Sequence, residues 1–188
     1  MNDKTQGLVR TFVAVTPPEK VLDQMAAWIR RLIPMAPYKW VSRGQLHLTL
    51  RFLGETPRSQ IDALGDALAK MDTGRGFDIC LNRAGGFPNL ARPRAIWLGG
   101  DAGAQELSAL AAKVESAAVE AGFPRETKRF TAHLTLARAK YEGSIPAALA
   151  DALPAVPTFA WRCERFVLFK SDLTPTGPIY SVLREYSL

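Results

Sequence analysis

The chain of 188 residues is poor in histidine and cysteine, with two of each, and no apolar run is long enough to span a bilayer, so no membrane association is expected. Its start, MNDKTQGLVRTFVAVTPP, lacks a long apolar core and a small-residue cleavage site, so a secretory leader is not expected. Cys80 and Cys163 lie far apart and form no CxxC pair, which reads as two buried thiols in a reducing cytoplasm. GxSxG, Walker A and GxGxxG are all missing, which excludes serine hydrolases, P-loop NTPases and Rossmann enzymes. Two histidines without HExxH or a cysteine cluster lack a third ligand, so no metal is expected. There is no low-complexity tract and no long linker. With 47% apolar and 22% charged residues, the composition is that of one globular domain over residues 1–188.

Hydrophobic periodicity predicts strands at residues 8–15, 46–53, 76–83, 94–98, 130–137, 159–170 and 179–187. Residues 76–83 and 94–98 flank a turn at Gly85-Gly86-Phe87-Pro88, and the last two strands form a hairpin across 175–178. Helices are predicted from Glu19 to about Ile33, from Pro57 to Lys70 with Thr56 as N-cap, and from Ala104 to Ala121. Residues 144–157 read as loop or a short helical turn. Mixed strands and helices in this order fit an α+β fold with antiparallel sheet better than a doubly wound parallel one.

Charge is unevenly spread. Twenty-four basic and 18 acidic residues leave +6, and 16 of the bases are arginine, the side chain best shaped for bidentate phosphate contact. Lys39, Arg43, Arg51, Arg125, Lys128, Arg129, Arg138 and Lys140 face one acid, Glu126, in windows 39–51 and 125–140. The remaining chain carries a net −1, so the positive excess flanks two short segments.

Those segments contain a repeat. His-Leu-Thr-Leu occurs at 47–50 and at 133–136, each with an arginine four residues before its histidine, Arg43 and Arg129. Both histidines of the chain lie in this repeat. The duplication suggests two similar halves about a pseudo-twofold axis, each giving one strand to a shared groove. Strand alternation projects His47 with Thr49, and His133 with Thr135, away from the leucine face. Either copy alone reads as an ordinary strand. Together they present two imidazoles and two hydroxyls to one small anion. Histidine titrates near neutrality, so one ring can take a proton from water while the other gives one to a departing alkoxide. The hydroxyls can bind non-bridging phosphate oxygens, with arginine to offset developing charge.

With these residues in view, the chain resembles the two-histidine (2H) phosphoesterase superfamily, and more narrowly the bacterial RNA 2′,3′-cyclic phosphodiesterases, also called 2′-5′ RNA ligases. RTFVAVTPP, KWVSRGQLHLTLRFLGE, GGFPNLARPRAIWLG, GFPRETKRFTAHLTLAR and LFKSDLTPTGPIYSVLREYSL carry the likeness, in order, over almost the whole chain. Ala132, where the family often has proline, is a minor departure. The resemblance implies a bilobal fold with two antiparallel sheets facing a central cleft and helices outside. It implies His47 and His133 as the catalytic pair, Thr49 and Thr135 as phosphate-binding hydroxyls, and Arg138 as a phosphate contact; Arg43 and Arg129 are further substrate-binding candidates. Strict alternation would put Arg138 on the leucine face, so a bulge or the strand's end must redirect it. No cofactor and no metal are implied. The expected reaction opens a terminal ribose 2′,3′-cyclic phosphate to a 2′-phosphate, with His133 as base and His47 as acid. Run backwards without ATP, it would join RNA ends through a 2′-5′ linkage.

The expected partner is an RNA end, tRNA fragments among them, bound by a cytoplasmic monomer. Two other readings share the motifs: a phosphodiesterase for small nucleotides such as ADP-ribose cyclic phosphate, and a non-catalytic single-stranded RNA-binding module. The last would stack bases on Trp40, Phe52, Phe130 or Tyr180, with Trp97 and Phe166 buried.

Overall fold

The computed structural model describes residues 7–188; residues 1–6, on which the leader reading partly rests, lie outside them. The strands are β1 (Leu8–Val15), β2 (Lys39–Trp40), β3 (Leu48–Pro57), β4 (Phe77–Leu81), β5 (Arg83–Phe87), β6 (Ala95–Gly99), β7 (Leu134–Arg138), β8 (Phe159–Cys163), β9 (Arg165–Thr174) and β10 (Gly177–Ser187). The helices are α1 (Glu19–Leu32), α2 (Arg58–Lys70), α3 (Ala104–Glu120) and α4 (Ala147–Ala152). The architecture is α+β, and every strand pairing is antiparallel. Among the described residues no helix is long and apolar enough to cross a membrane.

Strand order is β10-β9-β1-β3-β7-β6-β5, with β2 also on β7 and a separate β4-β8 ribbon. The join between β3 and β7 is one residue pair, Leu48 with Leu134. The two expected sheets are thus lobes of one eight-stranded sheet, hinged where the repeated leucines meet. α2 packs against α3, β3 and β10, and α1 against β8. Val21, Leu22, Met25, Trp28, Ile29 and Leu32 form the buried stripe of α1, the three- and four-residue spacing at work.

Several local expectations are corrected. Pro57, not Thr56, is the N-cap residue of α2; Thr56 remains in β3, its hydroxyl 2.9 Å from that of Thr11 and donating to the Gly54 carbonyl. Gly85, Gly86 and Phe87, expected as turn, belong to β5 and pair with β6, while β4 leaves that hairpin for β8. The glycines there serve close approach: a Cβ on Gly85 would stand 2.2 Å from the Trp97 ring. The predicted strand 159–170 breaks at Glu164, since β8 joins β4 while β9 joins β1 and β10. Trp97 and Cys80 are half-buried, not buried; Phe166 and Cys163 are buried. Both cysteines are free, and burial pushes the Cys163 thiol up to about 11.

Candidate active site

His47 and His133 each stand one residue before their strand, β3 and β7. Leu48, Leu50, Leu134 and Leu136 are buried, so the repeated leucines anchor each motif and leave histidine and threonine on the opposite face. Continuing the Leu48–Leu134 register by one residue either way sets His47 opposite Thr135 and Thr49 opposite His133. Both histidines and both threonines line one cleft of about 360 Å³, together with Arg10, Lys39, Arg138 and Tyr180.

The two imidazoles are held alike. His47 Nδ1 is 2.7 Å from the carbonyl of Gln45, and His133 Nδ1 is 2.7 Å from that of Thr131. A carbonyl only accepts, so each Nδ1 carries its hydrogen and each Nε2 is left for the cleft. The rings are also wedged by aromatics. Tyr180 meets His47 edge-on at 5.3 Å with Phe12 at 4.8 Å, and Phe87 meets His133 edge-on at 5.0 Å with Trp97 at 6.4 Å. Burial is the chief reason that both rings give up protons easily. His47 is pushed down to about 4, further lowered by His133 and Arg138 against the opposing hydrogen bond to Gln45. His133 is also lowered, by burial and then Arg138, against its bond to Thr131.

Arg138 reaches the cleft by a bulge. β6 pairs Ile96 with Ala137 and Trp97 with Thr135, so Leu136 is skipped. Leu136 and Ala137 are then both buried, and Arg138 returns to the open face. The first motif does the same at Leu50, with Val13 on Arg51 and Ala14 on Thr49. Arg51 turns inward and Phe52 outward into the cleft.

The other arginines are not brought there. Arg43 lies in a one-turn 3₁₀ segment, Arg43–Gln45, and its guanidinium is taken by Glu19 and Asp23 of α1, the latter at 2.6 Å. Arg129 is exposed and outside the cleft lining, as are Arg125 and Lys128. Arg51, 9% exposed, pairs with Glu115 at 2.7 Å and Glu126 at 3.1 Å. Of the eight cations in the two basic windows, Lys39 and Arg138 line the cleft. Trp40, Phe52 and Tyr180 line it as well, while Phe130 packs on the core.

Sequence reasoning missed Arg10, Phe12 and Gln45. Their only signal is long-range. β1 pairs with β3, which brings Arg10 and Phe12 alongside the first motif, and the Gln45 side chain donates to the Pro178 carbonyl at 2.6 Å, docking the last hairpin.

Comparison with known proteins shows the family. The model of the 2′-5′ RNA ligase superfamily matches residues 17–175. An RNA 2′,3′-cyclic phosphodiesterase of Thermus thermophilus is 37% identical, aligned over 96% of this chain and 90% of that one. Its namesake in Thermotoga maritima is 33% identical over 94% of both. Among solved structures, Escherichia coli LigT complexed with 3′-AMP superposes with a TM-score of 0.80 at 27% identity, covering 96% of this chain and 98% of that one.

Proposed function

The chain belongs to the 2′-5′ RNA ligase superfamily, and from that premise we propose that it hydrolyses a terminal RNA 2′,3′-cyclic phosphate to a 2′-phosphate. The observation that carries the reading is the pair of imidazoles in one cleft, each with Nδ1 tied to a carbonyl and Nε2 free. In the free cleft both rings are neutral at pH 7, because burial disfavours the charged form. An anionic phosphodiester between them reverses that preference for one ring. The neutral ring then takes a proton from water as it attacks phosphorus, and the protonated ring delivers one to O3′ as the P–O3′ bond breaks. Both rings are lowered in proton affinity and held alike, so they act as a pair, with His133 as base and His47 as acid the assignment carried from the sequence. Thr49, Thr135 and Arg138 hydrogen-bond and neutralise the non-bridging oxygens. With a 5′-hydroxyl RNA end attacking phosphorus in place of water and O3′ still departing as the protonated leaving group, the same site makes a 2′-5′ bond without ATP.

Three features favour this over a passive RNA-binding surface. The cleft has room for about one nucleotide, the candidate stacking residue Phe130 is turned into the core, and Arg125, Lys128 and Arg129 lie off the cleft. The substrate on this reading is an RNA end, tRNA fragments included, with small cyclic nucleotides as competitors, and the protein acts as a single cytoplasmic unit of two lobes.

The test is hydrolysis of an RNA oligomer and of a mononucleotide, each ending in a 2′,3′-cyclic phosphate, in excess EDTA. Turnover with the phosphate left on the 2′ oxygen is expected; a 3′-phosphate product, or loss of activity in EDTA, overturns it. The pH dependence is part of the reading. One proton must be shared between the rings, and both pKa values lie below the ordinary 6.5, one of them near 4. The kcat/KM profile is therefore bell-shaped, rising through about pH 4 and falling before pH 6.5. The kcat profile lies to its alkaline side, because bound anion raises both values.

A further inference from the structure

Both imidazoles of the proposed pair meet one aromatic ring at nearly the same perpendicular geometry: Tyr180 and His47 at 5.3 Å and 88°, Phe87 and His133 at 5.0 Å and 89°. Phe87 shows that wedging an imidazole in this fold requires no hydroxyl. Tyr180 nevertheless carries one. It is placed from two sides: β9 pairs with it through Ser171, and its ring packs on Phe12 at 4.8 Å. The hairpin bearing it is docked by the Gln45 side chain on Pro178, and Gln45 also supplies the carbonyl that orients His47. One short stretch thus fixes both the imidazole and the phenol relative to each other.

The phenol oxygen has no hydrogen-bond partner among the described residues, and it is not sealed away from solvent. Arg10 and Arg138, which line the cleft with Tyr180, bear on it electrostatically. Burial outweighs those cations and holds its pKa above the usual value, so it is a protonated donor throughout the working pH range.

We propose that Tyr180 is a further catalytic residue, its hydroxyl donating a hydrogen bond to a phosphoryl oxygen beside His47 as charge develops there. This rests on reading the cleft as a phosphodiesterase site. It breaks the symmetry of the two motifs: the His47 half supplies a phenol donor where the His133 half, through Phe87, supplies none. A donor aimed at charge that appears in the transition state acts on kcat more than on KM.

The decisive variant is Tyr180→Phe, which keeps the ring against His47 and Phe12 and removes one oxygen. With a 2′,3′-cyclic mononucleotide as substrate, kcat is expected to fall about tenfold or more, with KM within about twofold and the melting temperature unchanged. Tyr180→Phe at wild-type kcat overturns the proposal, leaving Tyr180 a packing residue. So does a loss of activity matched by a lower melting temperature, since the hydroxyl would then serve the fold. Failure of the underlying function looks different: the wild-type protein itself turns over no cyclic phosphate.

Discussion

The two halves of the cleft start from the same tetrapeptide and the same backbone device, yet end with different chemistry. Each motif enters its strand one residue after the histidine, ties Nδ1 to the carbonyl two residues back, and skips its second leucine in a bulge. The bulge turns the next residue inward and the one after outward. In the first half those residues are Arg51 and Phe52; in the second they are Ala137 and Arg138. The repeat therefore fixes where the reacting groups stand, while the residues just past the bulge decide what surrounds them. One half places an aromatic ring, with the Arg10 guanidinium 4.6 Å from its centre, where the other places a cation.

The strongest way to break this comparison is at the histidines. His47→Ala and His133→Ala should each lower kcat/KM by about 10²–10⁴-fold, the usual worth of a positioned acid or base. Near-equal losses would make the halves look interchangeable, and a second substrate separates them. A cyclic ester with sulfur at the 3′ position leaves without needing a proton. The variant lacking the acid recovers most of its activity on that ester and the variant lacking the base does not. Recovery by His47→Ala supports His133 as base and His47 as acid; recovery by His133→Ala reverses the roles.

What was readable beforehand follows the same division. Alternation along HLTL is local, so the facing of His47, Thr49, His133 and Thr135 was legible from composition of the strand alone. The bulges at Leu50 and Leu136 were not, because they depend on how β1 and β6 pair with these strands. For Arg138 the alternatives could be narrowed in advance to a bulge or the strand's end, the two ways of leaving the leucine face. β5 was misread as a turn because Gly85 and Gly86 look like chain reversal; the Trp97 ring that requires Gly85 is twelve residues away, and Gly86 is required by the backbone of Asn89 and Leu90 just past the strand. The aromatic wedges were invisible for the same reason: Phe12, Tyr180, Phe87 and Trp97 reach the histidines only through long-range pairing.

Arg51 sharpens the comparison in stability rather than rate. Its twin position holds Ala137, which asks for no partner, whereas Arg51 donates to the Pro124 and Phe52 carbonyls and pairs with Glu115 and Glu126. Glu126 in turn accepts from the backbone of Thr127 and Lys128, so the segment leading to the second motif is tied to the first motif's strand. Removing one partner of a buried pair strands the other charge; Arg51→Ala should cost about 3 kcal/mol by urea unfolding, toward the lower end for such sites because Glu126 is partly exposed. Arg51→Met, which fills the volume, should cost less. A cost near zero for both would mean that the network merely decorates the loop.

The smallest effect separates two arginines that sequence spacing made look equivalent. Arg43 and Arg129 each precede a histidine by four residues, but the count means little once the local path differs. Residues 43–45 wind into a 3₁₀ turn that carries Arg43 back onto α1, where Glu19 and Asp23 already satisfy its charge. Residues 128–133 run without helix or strand, and Arg129 stays in solvent. Arg43→Ala should therefore leave kcat/KM within about twofold, an exposed ion pair being worth under about 1 kcal/mol. Arg138→Ala, which removes a cation from the cleft itself, should lower it about 10–100-fold, as losing a hydrogen bond to a charged group does. An Arg43 loss as large as that of Arg138 would mean that the guanidinium abandons both carboxylates to reach substrate, and that the matched spacing was functional after all.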